Sequence, residues 1–341
     1  MKKRSIVFII LSVLAAAALT AALWVFYARN IRVFTEDADD SVRYSRSYLF
    51  VSGDDSQMLE KIYDAAKESA QKNDAYLTWA GKDSPVTYTA AECVDIAIAS
   101  DADGLIVYPD QSEEMEDAVK RAAEADIPVV TILQDLQDTG RVSHVGVSGY
   151  QLGELYGQQV EELLSKDSTR VCLLQDEAMG EVTSNLIYGR VLGAIQSSEH
   201  GDAAEFTTRQ VDTSNDFEAE ETIRNLLISE DAPDILLCVN PVQTECSVTA
   251  IIDYNLVSEV QIIGYYASED VLTALRQELL PVTITINPEE AGESAVSALD
   301  EYIESGNVSD YINLSLEAVR SDEVFLYLRR LAARKRAKGG G

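Results

Sequence analysis

Between Ala102 and Leu133 the chain reads ADGLIVYPDQSEEMEDAVKRAAEADIPVVTIL: an apolar run, a Tyr-Pro-Asp turn, an amphipathic segment, and a second apolar run behind Pro128. LIVY and VVTIL are apolar at every position, whereas a strand with one wet face would alternate. The segment between them repeats its apolar positions at helical spacing. Strands buried on both faces and joined by a helix describe a parallel sheet covered by helices on either side.

The same rhythm runs upstream through YLFVSG, MLEKIYDAAKESAQK, DAYLTWAG and AAECVDIAIAS. A second series follows in RVCLLQD, NLIYGRVLGAIQSS, AEFTTRQV, FEAEETIRNLLISE, DILLCVNP and VQIIGYY. Asp103-GLIVY-Pro109 in the first series matches Asp234-ILLCVN-Pro241 in the second, each followed by an amphipathic helix and another apolar strand. The expected fold class is α/β: two doubly wound parallel-sheet lobes in tandem, preceded by an N-terminal transmembrane helix. In such sheets ligands bind beyond the carboxyl ends of the strands, where helix amino termini and loop polar groups converge, so two facing units make a cleft.

The amino terminus sets Lys2, Lys3 and Arg4 before an uncharged run from Ile6 to Tyr27, long enough to cross a bilayer. A cleaved signal peptide is the competing reading, supported by small residues between Ala16 and Ala22. The anchor is favoured because the apolar core of a signal is only about 7 to 15 residues long. The terminal basic residues would stay cytoplasmic and the remainder would lie outside. No cysteine follows the run, which excludes a lipoprotein anchor.

Lys and Arg total 27 against 58 Asp and Glu, a net charge of -31 that repels phosphate backbones and excludes nucleic acid as a partner. The four cysteines lack the spacing of a zinc site or redox motif; Cys172 and Cys238 sit in apolar strand-like runs as small hydrophobes. With only His144 and His200, in different halves, neither a histidine metal pair nor a Ser-His triad is supported. Ser69-Ala-Gln-Lys72 has acyl-enzyme spacing without its partner motifs, and reads as solvated helix surface.

From Tyr48 to Arg320 the chain resembles the type I periplasmic binding proteins, the ribose-binding-protein-like family that also supplies the sensor domain of lac-repressor-like regulators. The resemblance is carried in order by DGLIVYPDQSEEMEDAVKRAAEADIPVVTI, HVGVSGYQLGELYGQQV, Gly189-Arg190-Val191-Leu192-Gly193, DILLCVNP, VQIIGYY and PVTITINPEEAGESAVSALDEYI. It implies two lobes that close on a ligand about three hinge crossings, near Val145 to Gly149, Ile286 to Pro288 and Tyr311 to Ala318. The domains expected are an anchor or signal over 1–30 and a linker over 31–46. Lobe one would take 47–146 with 288–312, lobe two 147–287 with 313–320, and a basic solvated tail 321–341.

Carried over by position, the resemblance gives a mixed binding set. Asn240 keeps the family's ligand-binding asparagine, and Ser52, with Asp54 beyond it, stands in the first loop. The family's Asp-Arg pair after PVVTI falls on Leu133 and Gln134, with Asp135 one position late. Its binding Arg falls near Tyr188, with Arg190 two residues on, and its Phe-Asp falls on Tyr265 and Tyr266. With Tyr108 at the end of the first matched strand, the tyrosines would offer stacking faces with hydroxyl tips.

The candidate ligand-binding residues are therefore Ser52, Asp54, Tyr108, Gln134, Asp135, Tyr188, Arg190, Asn240, Tyr265 and Tyr266. The function they imply is an extracytoplasmic solute-binding protein that captures a small polar, carbohydrate-like ligand and performs no chemistry, with no cofactor or metal. Its partner would be an ABC permease or a membrane sensor kinase. The alternative is a non-catalytic scaffold whose pocket has decayed. A repressor is disfavoured, since an apolar run stands where a helix-turn-helix would precede the lobes.

Overall fold

A computed structural model describes residues 44–165, 169–176, 179–213 and 215–338. The anchor or signal expected over 1–30, and all but the end of the linker 31–46, lie outside the described residues. The chain separates at Ser45, and both sheets belong to the compact unit Arg46–Gly341. No helix among the described residues is long and apolar enough to cross a membrane.

The chain first alternates β1 (Arg46–Ser52), α1 (Gln57–Lys72), β2 (Ala75–Trp79), α2 (Ala90–Ala99), β3 (Gly104–Tyr108), α3 (Glu113–Glu124), β4 (Val129–Ile132) and β5 (Ser143–Gly146). A second series follows with α4 (Gly149–Leu163), β6 (Thr169–Asp176), α5 (Glu181–Ser197), β7 (Ala204–Val211), α6 (Asp216–Leu227) and β8 (Ile235–Leu237). It continues through α7 (Pro241–Asp253), β9 (Gln261–Tyr265), α8 (Glu269–Arg276) and β10 (Val282–Ile286). The chain then returns as α9 (Pro288–Ser305) and β11 (Tyr311–Asn313), and finishes with β12 (Leu316–Arg320) and α10 (Val324–Lys338).

One sheet orders its strands β11-β5-β4-β3-β1-β2, all parallel. The other runs β12-β10-β9-β8-β6-β7, parallel except where β12 lies antiparallel to β10. Leu105, Ile106 and Val107 of β3 and every residue of β4 are buried, which is why these strands are apolar without alternation. Each such side chain removed from water contributes about 1.5–3 kcal/mol. The helices read as expected of sheet covers: α3 buries Met115, Ala118, Val119 and Ala122 along one stripe. Ser112 caps it, its hydroxyl accepting from Met115 N at 3.2 Å, and three glutamates in the first turn complement the helix dipole.

The chain passes between the sheets at Val147-Ser148, at Asn287 and at Leu314-Ser315. These passages are tied together, with Leu314 N donating to Gly146 O at 2.8 Å and Ser148 N to Asn313 Oδ1 at 3.3 Å. One apolar core runs from Tyr48 and Phe50 in the first lobe through Leu152 and Tyr156 to Ile263 in the second.

At the far end of the first lobe, buried Asp300 of α9 gathers the start of β1. It accepts from Arg46 Nη1 at 2.8 Å, Tyr48 Oη at 2.6 Å and Asn73 Nδ2 at 2.7 Å. At the other end of the chain, the segment expected as a solvated tail contains α10, whose Val324 and Tyr327 are buried in the core of the second lobe. All four cysteines are free thiols.

Candidate functional site

A cavity of about 530 Å³ lies between the lobes, where the carboxyl ends of the strands face each other. The first lobe contributes Met58, Tyr108, Gln134, Asp135, His144 and Tyr311, and the second Asp176, Met179, Asn240 and Tyr265. Of the sequence-derived candidates, Tyr108, Gln134, Asp135, Asn240 and Tyr265 thus share one cavity wall.

Local backbone geometry decides which neighbours face inward. Leu133 just beyond β4 and Tyr266 just beyond β9 both take left-handed conformations, φ 61° and 67°. For non-glycine residues that costs of order 1 kcal/mol or more, and it is held by the surroundings. In each lobe the kinked residue's N–H donates to the strand next door, Leu133 to Val145 O at 2.8 Å and Tyr266 to Ile284 O at 2.7 Å. The kink turns Gln134 into the cavity in one lobe and leaves Tyr265 there in the other. Tyr266 is directed elsewhere, 2% exposed, with Lys61 Nζ from α1 5.7 Å from its ring centroid.

Asp135 is gripped from behind by Arg141, which donates from Nε and, at 2.9 Å, from Nη2, while its Nη1 reaches Asp310 Oδ1 at 2.8 Å. Burial opposes the charge on Asp135, but the Arg141 hydrogen bonds and the nearby cationic groups outweigh it and hold its carboxyl below the ordinary value. His144 is buried beside this pair, with Nδ1 3.0 Å from Thr131 Oγ1. Burial pushes its imidazole down to about 4 against the pull of the Asp135 charge, so it is neutral at pH 7. Thr131 donates its hydroxyl proton to Asp135 Oδ1 at 3.3 Å, which assigns the imidazole proton to Nδ1 and leaves Nε2 an acceptor.

Across the cavity, Asn240 has two structural duties. Its Oδ1 caps α7 by accepting from Gln243 N at 2.8 Å, and its Nδ2 donates to Asp176 Oδ2. Thr213 Oγ1 also donates to Asp176 Oδ2, at 3.0 Å. Tyr265 is 8% exposed, and burial pushes its phenol up. Burial likewise raises Tyr108, with the carboxylates of Asp54 and Asp176 adding to the effect.

The remaining candidates lie off the cavity wall. Ser52 and Asp54 close a loop, with Ser52 Oγ donating to Asp54 O at 2.7 Å and Asp54 Oδ1 accepting from Ser56 N at 2.9 Å. Tyr188 stacks on Phe206 of β7, ring centroids 5.1 Å apart. Arg190 lies over the ring of Tyr150, its guanidinium carbon 3.8 Å from the centroid.

Sequence reasoning passed over Asp176, Arg141 and Tyr311. The strand-end rule that selected Tyr108 would also have selected Asp176, the last residue of β6. Arg141 and Tyr311 carry no comparable mark, because their placement depends on β11 joining β5 after a long excursion through the other lobe.

The profile of the periplasmic binding protein domain matches residues 47–307. No curated protein matches the chain. Among solved structures, the glucose-galactose binding protein GanP from Geobacillus stearothermophilus is similar at TM-score 0.71 and 18% identity, over 82% of this chain and 98% of that one. An ABC transporter periplasmic solute-binding protein from Actinobacillus succinogenes 130z, with bound D-allose, gives TM-score 0.70 and 18% identity over 82% and 99%. The XylFII-LytSN complex gives 0.68 and 21% over 81% and 98%. At such identities the structural likeness speaks for the fold alone, and it is the profile match across most of the chain that makes the protein a member of the periplasmic binding protein family, with the type I two-lobed architecture.

Proposed function

We propose that the protein captures a small carbohydrate-like solute between its lobes outside the cytoplasm, and that its output is the closed conformation and not a chemical product. The observation that carries this reading is the interlobe cavity, whose roughly 530 Å³ falls within the range of small-molecule sites and whose walls come from the strand ends of both lobes. Tyr108, Tyr265 and Tyr311 offer ring faces, while Gln134, Asp135, Asp176 and Asn240 offer hydrogen-bonding edges. Sugar ligands are named for the similar structures described above, one a glucose-galactose binding protein and one holding D-allose. The uncharged run from Ile6 to Tyr27 would tether the chain, with its basic flank on the cytoplasmic side. Delivery to an ABC permease and signalling through a sensor kinase both fit; the XylFII-LytSN complex supports a protein partner for this fold.

A second reading, a scaffold with a degenerate pocket, is favoured by the commitments of Asn240 and Asp135 to Asp176 and Arg141 inside the fold. Thermal melting against a panel of monosaccharides separates the two. A true ligand at a hundred times its Kd adds about 2.7 kcal/mol of stability and raises Tm, whereas no shift with any sugar supports the scaffold.

A further inference from the structure

The cavity wall carries one sign of charge. Glu116, Asp135, Asp176 and Glu181 line it, and no Lys or Arg does among the described residues. Arg141 balances Asp135 from outside the cavity, through two hydrogen bonds to its carboxylate. Asp176 is placed differently. It is 8% exposed at the end of β6, and it accepts from the uncharged Asn240 amide and Thr213 hydroxyl. Tyr108 from the opposite lobe stands within the field of this carboxylate, as the contribution of Asp176 to its raised phenol shows, after burial and Asp54. Tyr265 closes the same corner from the end of β9.

A carboxylate with aromatic faces beside it is a recognition geometry for organic cations, because the ring quadrupole and the anion attract the same charge. It is a poor one for acidic sugars or phosphate esters, whose charge would meet Asp176 in a partly desolvated space. The net charge of -31 on the chain acts in the same direction at longer range.

We infer that the ligand is a polyhydroxylated amine, an amino sugar in the simplest case, with its ammonium toward Asp176 and flanked by Tyr108 and Tyr265. The inference rests on the solute-capture reading above and narrows it. Neutral polyols remain able to enter, since Gln134, Asp135 and Asn240 serve hydroxyls equally well, but they lack the ionic contact.

The test is calorimetric titration of the full chain with matched trios that share one ring and differ in charge: D-galactose, D-galactosamine and D-galacturonate, and the corresponding gluco series. The expected result is an amine bound about tenfold or more tighter than its neutral parent, with no detectable binding of the uronate. In Asp176→Asn the amine should fall to within about threefold of the neutral sugar. A neutral sugar bound as tightly as its amine, or a preference that survives Asp176→Asn, overturns the inference and leaves solute capture standing. Binding of no member of either trio counts against both. The wild-type ratio requires no variant, so an Asp176→Asn chain that fails to fold leaves the test intact.

Discussion

Residue 146 is glycine because the imidazole of His144 occupies the space where a side chain would stand. That close approach seals His144 into the first lobe, and burial holds its imidazole down at about 4 from an ordinary 6.5. Between these values the unfolded chain takes up a proton that the folded chain refuses, so stability falls as pH drops through the window and is unaffected by this group above it. At pH 5 the loss amounts to about 2 kcal/mol. Melting curves from pH 8 to pH 4 are expected to fall less steeply for His144→Gln than for the wild type; parallel curves would count against a buried neutral imidazole. None of this was legible from one histidine in SHVGVSG. The sequence placed it near a hinge, but its burial follows from Gly146 and from β11 arriving beside it.

At the scale of elements, Asn240 joins two structures that sequence reasoning treated as separate. It caps α7 and holds the end of β6 through Asp176. Asn240→Ala should therefore lose both a cap and a buried hydrogen bond, about 1–3 kcal/mol in chemical denaturation. Asn240→Asp should keep the cap yet set two carboxylates together, so its deficit should shrink as the solution is acidified. The strands themselves were readable, because LIVY and VVTIL state their burial on both faces. The left-handed turns at Leu133 and Tyr266 were not, since bulky side chains give no warning of that backbone conformation. Those two turns determine that Gln134 and Tyr265 line the cavity while Tyr266 does not. A family pattern transferred by position alone cannot make that distinction.

At the scale of the molecule, the lobes also touch away from the cavity, where Glu269 N donates to Gln57 Oε1 at 3.4 Å and Lys61 lies over Tyr266. Neither Lys61 nor Gln57 lines the cavity, so they act on the ligand only through the balance between open and closed forms. Lys61→Ala is expected to weaken ligand binding about two- to fivefold with the stability of the chain unchanged. An unaltered Kd would show that this contact does not bias closure. The tandem series announced two sheets from the sequence, but not the ion pairs from Arg141 to Asp135 and to Asp310, which bring together residues far apart in the chain. Apolar periodicity reports burial within an element, and it is silent about charges that meet across distant ones.

The Asp300 cluster has a mechanical consequence. β1 is hydrogen-bonded on both sides, to β2 and β3, and its first residue is clamped to α9 through Arg46. A pull along that strand from the chain before residue 46 would load both ladders in shear, so that many bonds resist together instead of parting one by one. The first lobe can therefore bear tension at its entry strand without surrendering its core, leaving the second lobe free to swing.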